Sequence, residues 1–140
     1  TKADFTNTNL NGAQLVEANL TKAIMVSIHC QGANFSRAIL SGVDLSGANL
    51  ERATFSHAIL TPNVTLRHAR LSNSVLSFAD LTGANLIESD IQCSHLEKTI
   101  LNKAQLQRAN LRGSKLREAQ LKEADLREAQ LKGAYLTKAN

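Results

Sequence analysis

The chain has 140 residues, of which 43% are hydrophobic and 20% are charged, and its formal net charge is +4. The sequence shows no signal peptide and no apolar run long enough to cross a membrane. Its basic balance argues against the strongly acidic surface that imitation of a nucleic acid would require.

From the N-terminus onward, a five-residue period organises the sequence. Apolar residues occupy every fifth position from Phe5 to Leu60, the next step has six residues, and the period then continues from Leu66 to Leu136. We call these the central positions. All 21 leucines lie at them, and all 19 alanines lie two residues earlier, at what we call the small positions. The chain is therefore one repeat array rather than two linked domains.

This period fits neither a helix nor a flat strand. Five residues rotate a helix by about 140°, so the leucines would spiral around it, and in a strand an odd step alternates the two faces. Only a chain that turns once per repeat keeps the small and central residues inside. All seven glycines lie two residues after a central position, at what we call the corner positions. A tight turn there would favour glycine, which adopts positive φ easily.

Two repeats depart from the pattern. At one small position the usual alanine is replaced by the larger Ile28, and the central position two residues later holds the smaller Cys30 in place of leucine. We interpret the two changes as compensating in core volume. The six-residue step between Leu60 and Leu66 includes the only proline, Pro62. We interpret it as a tolerated single-residue insertion, with a functional kink or binding loop as the alternative.

The segments "ANFSR", "VDLSG", "ANLER", "ADLTG", "ANLRG" and "ADLRE" resemble the A(D/N)LXX motif of the pentapeptide-repeat proteins. The resemblance covers residues 3 to 140 and implies an all-β fold, a right-handed quadrilateral β-helix with four repeats per coil. On that basis the chain forms just under seven coils. The residues themselves indicate a coil but leave the number of sides open, because charges of opposite sign recur at a spacing of three repeats as well as four.

The resemblance also sets expectations about the whole protein. We expect residues 1–140 to form a single pentapeptide-repeat domain that is a segment of a longer, cyanobacterial-type protein, because neither end shows a capping element. Some family members carry such arrays as extensions of membrane-anchored proteins. We expect the segment itself to be cytoplasmic, with membrane contact only through a region outside it, and its uncapped ends would allow end-to-end self-association.

The sequence offers no catalytic, metal or cofactor site. The four histidines are scattered over outward positions, and no nucleophile–base pair or phosphate-binding loop is visible. Asp90, Cys93 and His95 surround one corner, but neighbouring coils supply no further ligands. Cys30 is predicted to point inward and Cys93 outward, so no disulfide is expected. We predict that the chain is not an enzyme.

Two kinds of outward residue are candidates for an interaction surface. Positions that directly follow central residues form a basic ring near the C-terminus, which we interpret as solvated because glutamates stand beside it, with phosphate contacts as the alternative. Apolar residues also face outward: three isoleucines on one side with Asp80 between them, two residues on another side, and Phe78 alone at a corner. They indicate either a partner site or simple β-propensity. The candidates are Ile24, Val26, Ile39, Ile59, Phe78, Ile100, Arg112, Arg117, Lys122, Arg127 and Lys132.

These observations favour a non-catalytic scaffold that binds an unidentified protein. The runner-up follows from the resemblance, since some pentapeptide-repeat proteins bind DNA gyrase by imitating duplex DNA. That mimicry needs acidic faces, and the net charge of +4 opposes it. Weak nucleic-acid binding through the basic C-terminal coils ranks third, and we do not expect nucleic acid as the partner.

Overall fold

The structure, a computed structural model, describes residues 3–140. Within that range the chain forms no continuous strand, and isolated parallel β-bridges connect it to itself from Asp4↔Ile24 to Lys115↔Tyr135. Every bridge joins two residues that immediately precede central positions, and the two partners are four repeats apart. The same residues contain no helix long and apolar enough to cross a membrane.

Each repeat is held by hydrogen bonds within its turn and to the next coil. The amides of Leu71 and Asn73 donate to the carbonyls of Asp90 and Gln92, at 2.6 and 3.0 Å. The amide of Ser74 donates to the carbonyl of Leu71 at 3.1 Å and closes a four-residue turn. Each coil is therefore joined to its neighbours by backbone hydrogen bonds that run along the axis, as in other parallel ladders.

The corners have left-handed backbone in nearly every repeat. All seven glycines have positive φ, as the sequence predicts. Twenty non-glycine residues also have positive φ, between 52° and 64°. With the turn hydrogen bond, a positive φ at the third turn residue is the backbone of a type II turn. None of the twenty is Val, Ile or Thr, the residues that this conformation strains most.

The core is a continuous stack of central residues with small residues beside it. Every central side chain from Met25 to Leu116 is at most 1% exposed, which confirms the inward assignment. Phe35 and Phe55 stack face to face with ring centroids 4.8 Å apart and planes 6° apart. Central residues of the first and last coils are half-buried, because a second coil covers them on one side only, and the last of them, Leu136, is 41% exposed.

At most of the buried small positions that hold serine or threonine, the hydroxyl donates to a turn carbonyl, and the Ser74 hydroxyl instead donates to the Ser94 hydroxyl at 3.4 Å. Ser94 donates to the Leu71 carbonyl at 2.7 Å, and Thr99 donates to the Leu76 carbonyl at 2.8 Å. Both side chains are fully buried. A hydroxyl can therefore replace alanine there without leaving a buried polar group unpaired.

The insertion lies at the corner after Leu60. Bridges that cross it, from Asp44↔Thr65 to Ile59↔Asp80, span one residue more than the others, and the regular spacing then returns. The Thr61–Pro62 peptide bond is cis, and the Gly42 amide donates to the Pro62 carbonyl at 2.8 Å. Val64 is buried at the following small position. The extra residue is therefore absorbed within one turn, and the core stack continues unchanged.

Ile28 and Cys30 are both fully buried, which permits a direct test of volume compensation. We expect Cys30→Leu to lower the free energy of unfolding by about 1–3 kcal/mol, because the larger side chain would overpack the coil beside Ile28. Ile28→Ala in the same chain should recover much of that loss. Denaturant melts of the two single variants and the double variant measure the coupling, and additive effects would contradict it.

Candidate interaction surface

The isoleucine column lies on one face of the rod, as the sequence predicts. Bridges join Ile39 to Ile59, Ile59 to Asp80, and Asp80 to Ile100, so the four residues follow one another along the axis. Ile39 and Ile59 are 36% and 45% exposed, and Ile100 is half-buried. The column is an exposed apolar strip interrupted by a single carboxylate.

Phe78 is the one apolar residue in its corner column, as the sequence indicates, and its ring contacts polar neighbours there. Its ring stacks on His57, with centroids 4.8 Å apart and planes 10° apart. The ammonium of Lys98 lies 5.6 Å from the centre of the Phe78 ring, within range of a cation–π contact. Because corner residues of successive coils lie above one another, these contacts hold Phe78 in one orientation although 48% of it is exposed.

The two columns form one surface. Corner residues and the bridge residues that follow them are separated by a single buried residue, as in His57–Ala58–Ile59 and Phe78–Ala79–Asp80. We call this surface the Phe78 ridge; it comprises Ile39, His57, Ile59, Phe78, Asp80, Lys98 and Ile100. The sequence alone does not assign the isoleucines and Phe78 to one surface, because it leaves open how many residues form a coil.

The Asp or Asn before many central residues has a structural role that sequence analysis missed. Its Oδ1 accepts a hydrogen bond from the backbone amide two residues later, for example from Thr21 to Asn19 at 3.1 Å and from Thr82 to Asp80 at 3.0 Å. The Thr82 hydroxyl donates to the same Asp80 oxygen at 2.7 Å. These contacts are Asx turns, which explain the D/N of the motif. A cap of this kind needs an oxygen but no charge.

The second apolar pair lies apart from the ridge. Ile24 bridges Asp4 and Asp44 on another face, and both Ile24 and Val26 are half-buried. We find no aromatic stack or cation–π contact at this pair among the residues that the structure describes. Ile24 is therefore a useful control for experiments on the ridge.

The basic ring is partly neutralised by its own neighbours. Arg117 Nε lies 3.2 Å from Glu118, and Arg127 Nη2 lies 2.6 Å from Asp125. The Arg127 hydrogen bonds lower the pKa of Asp125 to about 2, so the pair persists above that pH and is lost as the pH falls through it. The remaining three members are exposed and have no ion-pair partner within residues 3–140: Arg112, Lys122 and Lys132. The first and last of these lie four repeats apart on one side of the rod, and Lys122 lies on another.

The histidines and cysteines form no recognisable reactive arrangement in the described chain. His68 and His95 pair with Glu88 and Glu97 at 3.2 and 3.4 Å. No group of three His, Cys, Asp or Glu residues in the range 3–140 could hold a metal ion. The depressions on the surface are open and lined mainly by charged side chains, as at Glu88, Arg108, Arg127 and Glu128.

The two cysteines should differ sharply in reactivity. Cys30 is fully buried, and desolvation raises the pKa of its thiol to about 12, whereas Cys93 is exposed at a corner. We expect one thiol to react with a disulfide reagent in the native protein and the second only after denaturation. Cys93→Ser should abolish the fast phase. Fast labelling of both thiols in the native protein would contradict the inward position of Cys30.

Comparison with known proteins agrees with this geometry. The profile of the family described as pentapeptide repeats matches residues 1–27, 28–61, 63–103 and 104–140. The chain belongs to the pentapeptide-repeat family, and its fold is the right-handed β-helix of that family. No curated protein matches the sequence closely enough to count as a relative.

Several solved structures are similar to the chain. HetL, a pentapeptide repeat protein involved in heterocyst differentiation regulation in the cyanobacterium Nostoc sp. strain PCC 7120, is 28% identical over 99% of this chain and 82% of its own, with a TM-score of 0.45. Trypsin-treated QnrB1, a plasmid-mediated fluoroquinolone resistance protein, is 18% identical over 99% of this chain and 74% of its own, with a TM-score of 0.69. A pentapeptide repeat protein of the cyanobacterium Cyanothece 51142 is 35% identical over 73% and 60%, with a TM-score of 0.35.

Proposed function

We propose that this chain is a non-catalytic, rigid rod that binds another protein through the Phe78 ridge. In this proposal the rod is a right-handed, four-sided β-helix of just under seven coils. The bridge spacing of four repeats supports the four sides. A coil spacing of about 4.8 Å makes the rod roughly 30 Å long.

The observation that carries the proposal is the fixed, exposed aromatic ring beside exposed isoleucines. Protein interfaces concentrate their binding energy in aromatic anchors surrounded by apolar contacts. Phe78 is held by His57 and Lys98 before any partner arrives, so little conformational entropy is lost on binding. In the adjacent column, the residues beside Ile39, Ile59 and Asp80 are short and polar, and they leave the face accessible: Ser41, Thr61 and Thr82.

Interaction with a protein is testable with matched baits. Wild type, Ile59→Asp and Ile24→Asp would each capture proteins from a lysate of the source cells, followed by quantitative mass spectrometry. Aspartate occurs naturally at the equivalent bridge position of Asp80, so both variants should fold. We expect that at least one protein is captured by wild type and by Ile24→Asp but not by Ile59→Asp. Equal capture by all three baits would contradict binding at the ridge.

Gyrase binding by DNA mimicry should fail for this chain. The net charge is +4, and the exposed cations of the ring would be repelled by a groove that receives DNA. We expect no inhibition of supercoiling at micromolar concentration. Duplex DNA should bind only weakly, and a salt titration from about 50 to 200 mM should abolish that binding. Potent inhibition, or DNA binding that resists salt, would each favour the competing function.

We further propose a cytoplasmic location for this segment, with any membrane attachment lying outside it. Both cysteines are free thiols, which is compatible with a reducing compartment. A fluorescent fusion of the full-length protein, followed by cell fractionation, tests this location.

A further inference from the structure

We propose that the occupant of the Phe78 ridge is an amphipathic α-helix that lies along the rod axis and places a lysine or arginine on Asp80 between two apolar residues. This inference rests on the proposed function, because it specifies the chemistry of the partner at the same surface.

The first argument is the state of the Asp80 carboxylate. Asp80 lies between Ile59 and Ile100 in the bridge column. Its Oδ1 is occupied by the Thr82 amide and hydroxyl at 3.0 and 2.7 Å. Within residues 3–140, its Oδ2 accepts no hydrogen bond and no cationic side chain forms an ion pair with the carboxylate. The remaining oxygen is therefore free to receive a donor from outside.

The second argument is the cost of covering that oxygen. A partner that packs on Ile59 and Ile100 must also cover Asp80, and an unpaired carboxylate removed from water is strongly unfavourable. The turn cap does not require the charge, because Asn19 provides the same cap with a neutral amide. A partner with a basic side chain between its apolar contacts would convert this cost into a charge-assisted hydrogen bond.

The spacing along the axis selects a helix. Adjacent coils are separated by about 4.8 Å, as the stacked rings of Phe35 and Phe55 show, so Ile59 and Ile100 lie roughly 10 Å apart with Asp80 midway. On a helix, residues at i, i+3 and i+7 lie on one face at about 0, 4.5 and 10.5 Å. Alternate residues of a strand lie about 6.7 and 13.4 Å from the first and would miss both sites.

A second copy of the described chain does not supply this ligand. Residues 3–140 contain no helix, and the ridge itself carries Asp80 rather than a basic residue at its centre. The helix must belong to a different protein segment, with Phe78 contacting its flank.

The probe is a synthetic peptide locked as a helix by a side-chain lactam on its outer face. A length of about 15 residues is enough, because the lactam stabilises a helix that would otherwise be marginal in water. The peptide carries Leu, Arg and Leu at positions i, i+3 and i+7, and its twin carries Glu in place of Arg. Fluorescence anisotropy would measure the dissociation constant of each labelled peptide from the whole chain. We expect wild type to bind the Arg peptide at least about fivefold more tightly than the Glu peptide.

The matched variants are Asp80→Asn and Asp44→Asn. Both aspartates occupy bridge positions and accept a turn amide on Oδ1, but Asp44 lies on another face. Asp80→Asn should abolish the preference for Arg while thermal melts stay close to wild type, and Asp44→Asn should keep the preference. Retention of the preference in Asp80→Asn would overturn the pairing. Failure of wild type to bind either peptide would overturn the helix. Both results leave protein capture through Ile59 intact, so they are distinguishable from failure of the proposed function.

Discussion

Leu106→Lys should lower the free energy of unfolding by more than about 3 kcal/mol. Leu106 is fully buried in the core stack, between Leu86 and Leu126 in the coils on either side. A lysine there would place an ammonium among apolar side chains with no carboxylate to pair with it, and it would remove the packing of the leucine. Unfolding in urea or guanidinium would measure the loss directly, provided that the variant unfolds with the same m-value as wild type.

The control for this change is Arg112→Ala. Arg112 is exposed and forms no ion pair within the described chain, so its removal should change the free energy of unfolding by no more than about 0.5 kcal/mol. Similar losses in the two variants would mean that central positions are not the interior of the coil.

Phe55→Ala should be the second severe change, with a loss of about 3–5 kcal/mol. Phe55 is fully buried and stacks on Phe35, and Leu76 follows it in the same column. Truncation would leave a cavity in the core. The surrounding backbone could not move inward to fill it, because hydrogen bonds fix each coil to its neighbours. Calorimetry or denaturant melts would give the magnitude.

Phe78→Ala is the control for Phe55→Ala, because it removes the same ring from a position outside the core. The Phe78 ring is 48% exposed and contributes a stack with His57 and a contact with Lys98. Its loss should cost about 0.5–1.5 kcal/mol. If Phe78→Ala were as damaging as Phe55→Ala, the corner column would be part of the structural core rather than an exposed surface.

The inner half of the fold was predictable from the sequence because burial selects residue type strongly. A period of five in leucine, with alanine two residues earlier, identified Leu106 as inward, and Leu106 is fully buried. Ile28 and Cys30 were also placed inside correctly. Buried positions accept only side chains of a suitable volume and polarity, so the residue types at those positions show that they are buried.

The outer half was less predictable because contacts between coils depend on the number of residues per coil. Phe78 can stack on His57 only if a coil has four repeats and the inserted residue lies between them. Opposite charges pair between neighbouring coils, but not always within one column. Lys103 pairs with Glu123 four repeats away, whereas Arg70 pairs with Glu51 and not with Asp90, its bridge partner in the next coil. Long flexible side chains can reach several partners, and sequence spacing does not choose among them.

The hydrogen bonds between coils, all directed along the axis, determine how the rod would respond to force. Tension applied between its two ends loads these bonds one coil at a time, in the manner of a zipper, rather than shearing many at once. Each coil that peels away releases four repeats, or about 70 Å of extended chain. The rod should therefore yield in regular steps when it is pulled lengthwise.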